Sequence, residues 1–279
     1  MTEPKHPSSH RPLRIGVQLA PQHGSYTGYR DAVLRAEELG VDVVFTWDHF
    51  FPLTEPFDAP HFEAWTVLAA MAEQTERVEF GPLVNCSSYR NPDLQADMAR
   101  TVDHISARAP GAGRLIFGTG SGWAQHDYDE YGYEFGTVGS RLDDLAADLA
   151  RVRARWDRLN PPPTRRIPIL IGGQGERKTL RLVAQHADIW HTFTSLYELP
   201  RKIGVLHEWC AREGRDPADI ELSTGYTVRG FGPLLERTDA ASHLYDLGFR
   251  LIVPAIDGPD YDLAPVKALL DWRDRINGL

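Results

Sequence analysis

Two apolar patterns alternate along the chain. Short β-rich runs give way to longer segments whose apolar residues recur every three or four positions. The first run covers residues 13–20 (LRIGVQLA). A helix follows at 29–39, with Val33, Ala36 and Leu39 on one face and Gly40 as its stop. Residues 41–47 (VDVVFTW) are nearly all apolar, as expected for a parallel strand covered on both faces. Helix 62–74 and strand 77–84 come next. Pro92 then opens a helix whose predicted stripe is Leu94, Met98, Val102 and Ile105. Strand 113–117 runs into Gly118-Thr119-Gly120-Ser121-Gly122. Beyond it lies a stretch, 123–139, rich in tyrosine and acid. Leu142, Leu145, Leu149, Val152, Trp156 and Leu159 repeat at three and four, a helix that Pro161-Pro162-Pro163 ends. Strands 167–171, 188–193, 220–228 and 249–253 alternate with helices 176–186, 199–212, 234–247 and 264–276. Eight strand–helix units predict an α/β fold, a (β/α)8 TIM barrel. Residues 13–279 read as one domain, and residues 1–12 as a flexible tail.

Composition narrows the class. The chain has 279 residues and a formal charge of −9, from 30 Lys+Arg against 39 Asp+Glu. An acidic balance argues against a nucleic-acid binder, which needs a basic face. Two cysteines, Cys86 and Cys210, exclude a disulfide scaffold and a cysteine-based metal site. No apolar run reaches membrane length, and the polar N-terminus does not read as a signal peptide, so the expected location is cytoplasmic. Only four of the basic residues are lysines: Lys5, Lys178, Lys202 and Lys267. Lys5 is in the tail and the others fall in helices, which disfavours Schiff-base chemistry at a strand end.

Active sites of such barrels form at the C-terminal ends of the strands. Three of those ends carry candidate chemistry. Asp48 and His49 follow strand two; a carboxylate beside an imidazole can orient a ligand or move a proton, although Asp is also common in solvated turns. No HxH or HExxH spacing suggests a metal. Gly118 to Gly122 end strand four, where glycines allow close backbone approach to a ligand or simply make a tight turn. Gly172-Gly173-Gln174-Gly175 lead into a helix, the arrangement of an anion cradle, with Arg177 and Lys178 either adding charge or facing solvent. Neither GxGxxG nor GxxxxGK[ST] is present. The acidic and tyrosine-rich run around Asp127, Tyr128, Asp129, Glu130, Tyr131, Tyr133 and Glu134 reads as a solvated loop with aromatic packing, or as a lid. Trp190 and His191 end their strand and read as a packed tryptophan and an ordinary polar histidine.

Five stretches in this order, DHFFP at 48–52, 63–84, 89–106, GRLIFGTGSGW at 113–123 and 171–190, give the chain a resemblance. It resembles the luciferase-like monooxygenase superfamily, and within it the oxidoreductases dependent on the deazaflavin coenzyme F420. The resemblance implies a bacterial luciferase-like barrel binding F420, or FMN as the alternative, at its C-terminal mouth. It implies that Asp48 and His49 lie beside the ring. A non-proline cis peptide is implied near Leu83 and Val84, with Asn85 and Cys86 just beyond. Thr119, Gly120 and Ser121 would line the cofactor, while Gly172, Gly173 and Gln174 would take its phosphate. The expected partner is a small-molecule substrate, and relatives suggest a homodimer. Two positions depart from the pattern: Ser121 stands where some F420 relatives place a glutamate, and Leu53 where an aromatic residue walls the pocket. Competing readings are an FMN-dependent monooxygenase with a separate reductase, a lyase or isomerase of phosphorylated sugars, and a non-catalytic cofactor-binding barrel.

Overall fold

The computed structural model describes residues 6–7, 11–108, 111–227 and 238–279. Within them one parallel sheet contains nine strand segments. These are β1 (Arg14–Leu19), β2 (Val43–Thr46), β3 (Glu79–Pro82), β4 (Asn85–Cys86), β5 (Phe117–Gly120), β6 (Ile169–Gly172), β7 (Ile189–Thr192), β8 (Glu221–Thr227) and β9 (Phe249–Ile256). Their order around the sheet is β3-β2-β1-β9-β8-β7-β6-β5-β4.

The two ends of that order are neighbours in the chain. The strand expected at 77–84 is broken into β3 and β4, with a cis peptide at Leu83–Val84 between them. A bridge from Phe80 to Leu115 joins the ends, and the Ile116 amide donates to the Phe80 carbonyl at 2.8 Å. Close approach at this seam requires glycine: a Cβ on Gly118 would sit 2.0 Å from the Pro82 carbonyl oxygen. The sheet is thus a (β/α)8 barrel with one broken stave.

Helices α1 (Tyr26–Leu39), α2 (Ala64–Gln74), α3 (Pro92–Ser106), α4 (Gln125–Tyr131), α5 (Val138–Trp156), α6 (Thr179–His186), α7 (Leu199–Glu213), α8 (Thr238–Leu247) and α9 (Ala264–Asn277) complete the described elements. Residues 234–237 of the helix expected at 234–247 lie outside the described residues. So does residue 228 of the strand expected at 220–228.

Strand alternation sorts the core into two layers. Val43, Phe45, Leu83, Ile116, Leu170, Ile189, Leu251 and Val253 fill the barrel interior. Their sequence neighbours, such as Val44, Phe117, Ile169, Ile171 and Trp190, face the helices. Each fully buried large apolar side chain contributes roughly 1.5–3 kcal/mol. At the N-terminal end the barrel is plugged by ions rather than hydrocarbon. Arg14 pairs with Glu221 at 2.6 Å and Glu79 at 2.7 Å, and Arg165 reaches Glu79 at 2.8 Å.

Two expectations shift. The α3 stripe is rotated: Gln95, Ala96, Ala99, Val102, Asp103 and Ser106 are buried, while Leu94 is 51% exposed. Alanines allow close packing there, and each buried polar side chain finds a partner, although Asp103 Oδ1 has none among the described residues. Gln95 donates to the Ser87 and Arg90 carbonyls, and Asp103 accepts from the Thr164 amide and hydroxyl. Part of the expected tail is also tied down. His6 is buried and bonded to the Ile220 carbonyl and His207, and Arg11 donates to the Ala218 and Asp219 carbonyls. Residues 1–5 and 8–10 of that tail lie outside the described residues.

Candidate active site

The C-terminal mouth is built around the broken stave. Beyond β2 the chain leaves the barrel as Trp47-Asp48-His49-Phe50. Asp48, expected beside the ring, has its side chain turned inward. Its side chain has no exposed surface, and it forms a two-pronged pair with Arg90 at 2.6 and 2.9 Å. It also accepts from the Cys86 amide at 3.1 Å. Burial pushes its carboxyl above the usual range, while Arg90 and the Cys86 amide pull the other way. The bidentate pair with Arg90 favours the ionised form, because two guanidinium N–H groups and the Cys86 amide all donate to its oxygens and a protonated carboxyl would forfeit the charge they meet. Arg90 also reaches Glu63 at 2.7 Å. Glu63 caps α2 by accepting from the Trp65 and Thr66 amides. One guanidinium therefore ties together the ends of β2 and β4 and the start of α2.

His49 keeps the outward position. Its Nδ1 stands 2.6 Å from the Asp127 carboxylate. Asp127 also accepts from the Tyr89 hydroxyl at 2.9 Å and the Phe50 amide at 3.2 Å. Burial opposes the Asp127 charge, but His49, Tyr89 and that amide hold its carboxyl below the usual range. The carboxylate accepts, so Nδ1 carries the hydrogen, and Nε2 has no hydrogen-bond partner among the described residues. The His49 ring also meets Trp123 edge-on at 5.5 Å, and Trp123 is 67% exposed.

The segment read as a solvated loop or a lid is a short helix, α4, docked on aromatic rings. Asp127 and Tyr128 are buried. Phe50 stacks on Tyr131 at 4.0 Å and lies 4.7 Å from Tyr89. These contacts fix the carboxylate behind His49.

The remaining expected residues divide. Val84 rises from the bulge between two glycines: a Cβ on Gly120 would lie 2.8 Å from Val84 Cγ2, and one on Gly172 would lie 3.0 Å from Cγ1. Leu83 fills the interior below, its carbonyl held by Gln18 Nε2 at 2.7 Å. Ser121 is half-buried at the mouth, and its side chain has no hydrogen-bond partner among the described residues.

Asn85, Cys86 and Thr119, expected at the cofactor, point elsewhere. Asn85 is fully buried between Trp65 Nε1 at 2.8 Å and Gln95 at 2.8 Å. Cys86 packs on the Tyr128 hydroxyl at 3.1 Å, and burial pushes its thiol up to about 11. Thr119 alternates with the interior-facing Gly118 and Gly120, so it faces the helices and bonds the Asn85 carbonyl at 3.4 Å.

The glycine loop after β6 is also partly committed. The Gly173 amide donates to the His191 carbonyl at 3.0 Å. The amides of Gln174, Gly175 and Glu176 have no backbone acceptor among the described residues. The Gln174 side chain accepts from the Thr194 hydroxyl. Lys178 pairs with Asp143, and Arg177 faces solvent. Lys202, noted in the sequence only as one of four lysines, lies beneath the loop and bonds the Gln174 carbonyl and Glu176.

Sequence reasoning did not select Arg90, Glu63, Asp127, Tyr89, Trp123 and Gln18 as site residues, although Glu63, Tyr89, Arg90 and Trp123 lie in the stretches that carry the resemblance. Asp127 was noticed only as part of an acidic run. Among the described residues, no group of three or more His, Cys, Asp or Glu is placed to hold a metal. No helix among them is long and apolar enough to cross a membrane.

Residues 12–229 match the model of the luciferase-like monooxygenase family. The chain belongs to that family. An F420-dependent glucose-6-phosphate dehydrogenase from Amycolatopsis mediterranei is 32% identical over 146 residues, 52% of this chain and 42% of that protein. The chain thus spans less than half the length of this curated relative. Among solved structures, an F420-dependent secondary alcohol dehydrogenase in complex with an F420-acetone adduct superposes with a TM-score of 0.78. It is 17% identical, and the match covers 91% of this chain and 96% of that one. The oxygenating constituent of 3,6-diketocamphane monooxygenase from Pseudomonas putida, in complex with FMN, superposes at 0.60. Its identity is 18%, with 86% and 80% covered.

Proposed function

We propose that the chain is an F420-dependent oxidoreductase that transfers a hydride between the coenzyme and a small organic substrate. One arrangement carries this reading: Val84, raised between Gly120 and Gly172, backs a side-chain-poor mouth that His49 borders. A Cβ at either glycine would fill space that a flat ring needs. The F420-dependent relatives favour the deazaflavin over FMN.

F420, when bound, supplies a ring that accepts or returns hydride. The protein supplies placement and the proton. His49 Nε2, with Nδ1 held by Asp127, takes the hydroxyl proton of an alcohol substrate or returns it to a carbonyl oxygen. Asp48 and Arg90 hold the loop and do not touch the reacting atoms. The amides of Gln174, Gly175 and Glu176, in the loop that leads into α6, would hold the coenzyme phosphate. Trp123 walls the substrate side next to His49.

Titration of the protein with F420 and with FMN, followed by fluorescence, tests the reading. Saturable F420 binding without FMN binding is expected; the reverse preference overturns it. Retained F420 binding with lost turnover in His49→Ala separates an enzyme from a cofactor-binding barrel.

A further inference from the structure

The opposite end of the barrel holds a cavity of about 800 Å³, remote from His49 and the glycine loops. Ligand pockets commonly span roughly 300–1,000 Å³. Ile189 and Glu221, at the N-terminal ends of β7 and β8, line it, as do five arginines: Arg11, Arg14, Arg153, Arg166 and Arg215.

The carboxylates around this cavity are largely spoken for. Both Glu221 oxygens accept from Arg14. Glu79 is shared by Arg14 and Arg165. Asp188 accepts from Arg166 on one oxygen and from the Ile169 amide on the other. Asp219 is the one lining acid without a side-chain partner, and it is exposed.

Three of the arginines have no carboxylate partner among the described residues. Each commits a single nitrogen to carbonyl oxygens: Arg11 to Ala218 and Asp219, Arg153 to His186, and Arg215 to Ala184 and Val183. The remaining N–H groups are left for another acceptor. Burial holds Arg153 below its ordinary range; Asp188 opposes that shift, while Arg166 and Arg215 add to it. Crowded like charges in a depression are relieved by a bound anion, and guanidinium forks match phosphate oxygens in pairs.

We propose that this cavity binds a phosphate-bearing polyanion, of the pyrophosphate or nucleoside polyphosphate class, through Arg11, Arg153 and Arg215. The site is separate from the redox mouth and does not depend on which coenzyme that mouth takes.

Isothermal titration of the full chain with pyrophosphate and with ATP tests the proposal. Saturable binding is expected that weakens as ionic strength rises and persists in the presence of saturating F420. Affinity should fall roughly tenfold or more in Arg153→Gln/Arg215→Gln, which removes two of the forks. Arg166→Glu, at the exposed rim, is expected to weaken binding too, and it serves if the double variant does not fold. Absence of binding, equal binding in wild type and both variants, or displacement of the polyanion by F420 would each overturn the assignment.

Discussion

His49 Nδ1 lies 2.6 Å from an oxygen of Asp127, a residue 78 positions away. The contact fixes which imidazole nitrogen faces the mouth. Asp127→Asn removes the acceptor charge and lets the ring turn or change tautomer. Turnover is expected to fall about ten- to a hundredfold, with substrate KM little changed, since an outer partner of a catalytic histidine typically matters on that scale. Steady-state kinetics across pH would check it: an effect confined to KM would contradict the orienting role.

Arg90 is the sole cation on the fully buried Asp48 among the described residues. Arg90→Met strands a carboxylate in the interior and is expected to destabilise the fold by about 3–5 kcal/mol. Urea unfolding should show a lower midpoint at unchanged slope. Asp48→Asn/Arg90→Met removes both charges and should recover part of that loss. If the double variant is no more stable than Arg90→Met alone, the pairing argument is wrong.

Gly120→Ala places a methyl against Val84, at the 2.8 Å distance given above. Val84 must move toward the mouth, and F420 affinity is expected to drop about tenfold, equivalent to ~1.4 kcal/mol. Adding Val84→Ala should restore binding. Failure of that rescue would show that the two side chains do not compete for one space.

Acid should weaken the fold before its carboxylates titrate. Burial lowers His6 and His61 to about 4 and His191 to about 3, against an ordinary value of 6.5. Between those values the unfolded chain binds more protons than the native one, so stability rises with pH across this window. It is fully present above about 6.5 and drains away as pH falls toward 4. The slope is at most about 1.4 kcal/mol per pH unit for each histidine, less for His61, which is partly exposed. Melting temperatures measured from pH 7 to 4.5 should fall, and His191→Gln should flatten the curve. A flat wild-type profile would argue that these rings are accessible to protons.

The barrel was legible because its apolar runs alternate with helical stripes, and because glycine-rich strand ends recur where loops meet a ligand. The place of the cis peptide was legible from family resemblance alone. Side-chain direction near the seam was not. The break between β3 and β4 resets the inside–outside alternation, so Asn85 and Cys86 turn toward helices although Val84 reaches the mouth. On β5 the interior positions are glycines, which leave no apolar pattern to show that Thr119 faces outward. The polar partners were invisible for a different reason. Arg90 meets Asp48 across 42 residues, and Asp127 meets Tyr89 across 38. Spacing rules see neighbours on one element, not contacts made by closing a barrel.

A barrel usually lets evolution rewrite its rim one loop at a time. Arg90 withdraws that freedom from one half of this rim, because a change in any of the three segments it holds exposes the other two. New substrate preferences should therefore arise on the far side, in the segments after β7 and β9, where no such guanidinium knot ties one loop to the next among the described residues. The half that carries His49 is inherited as a block.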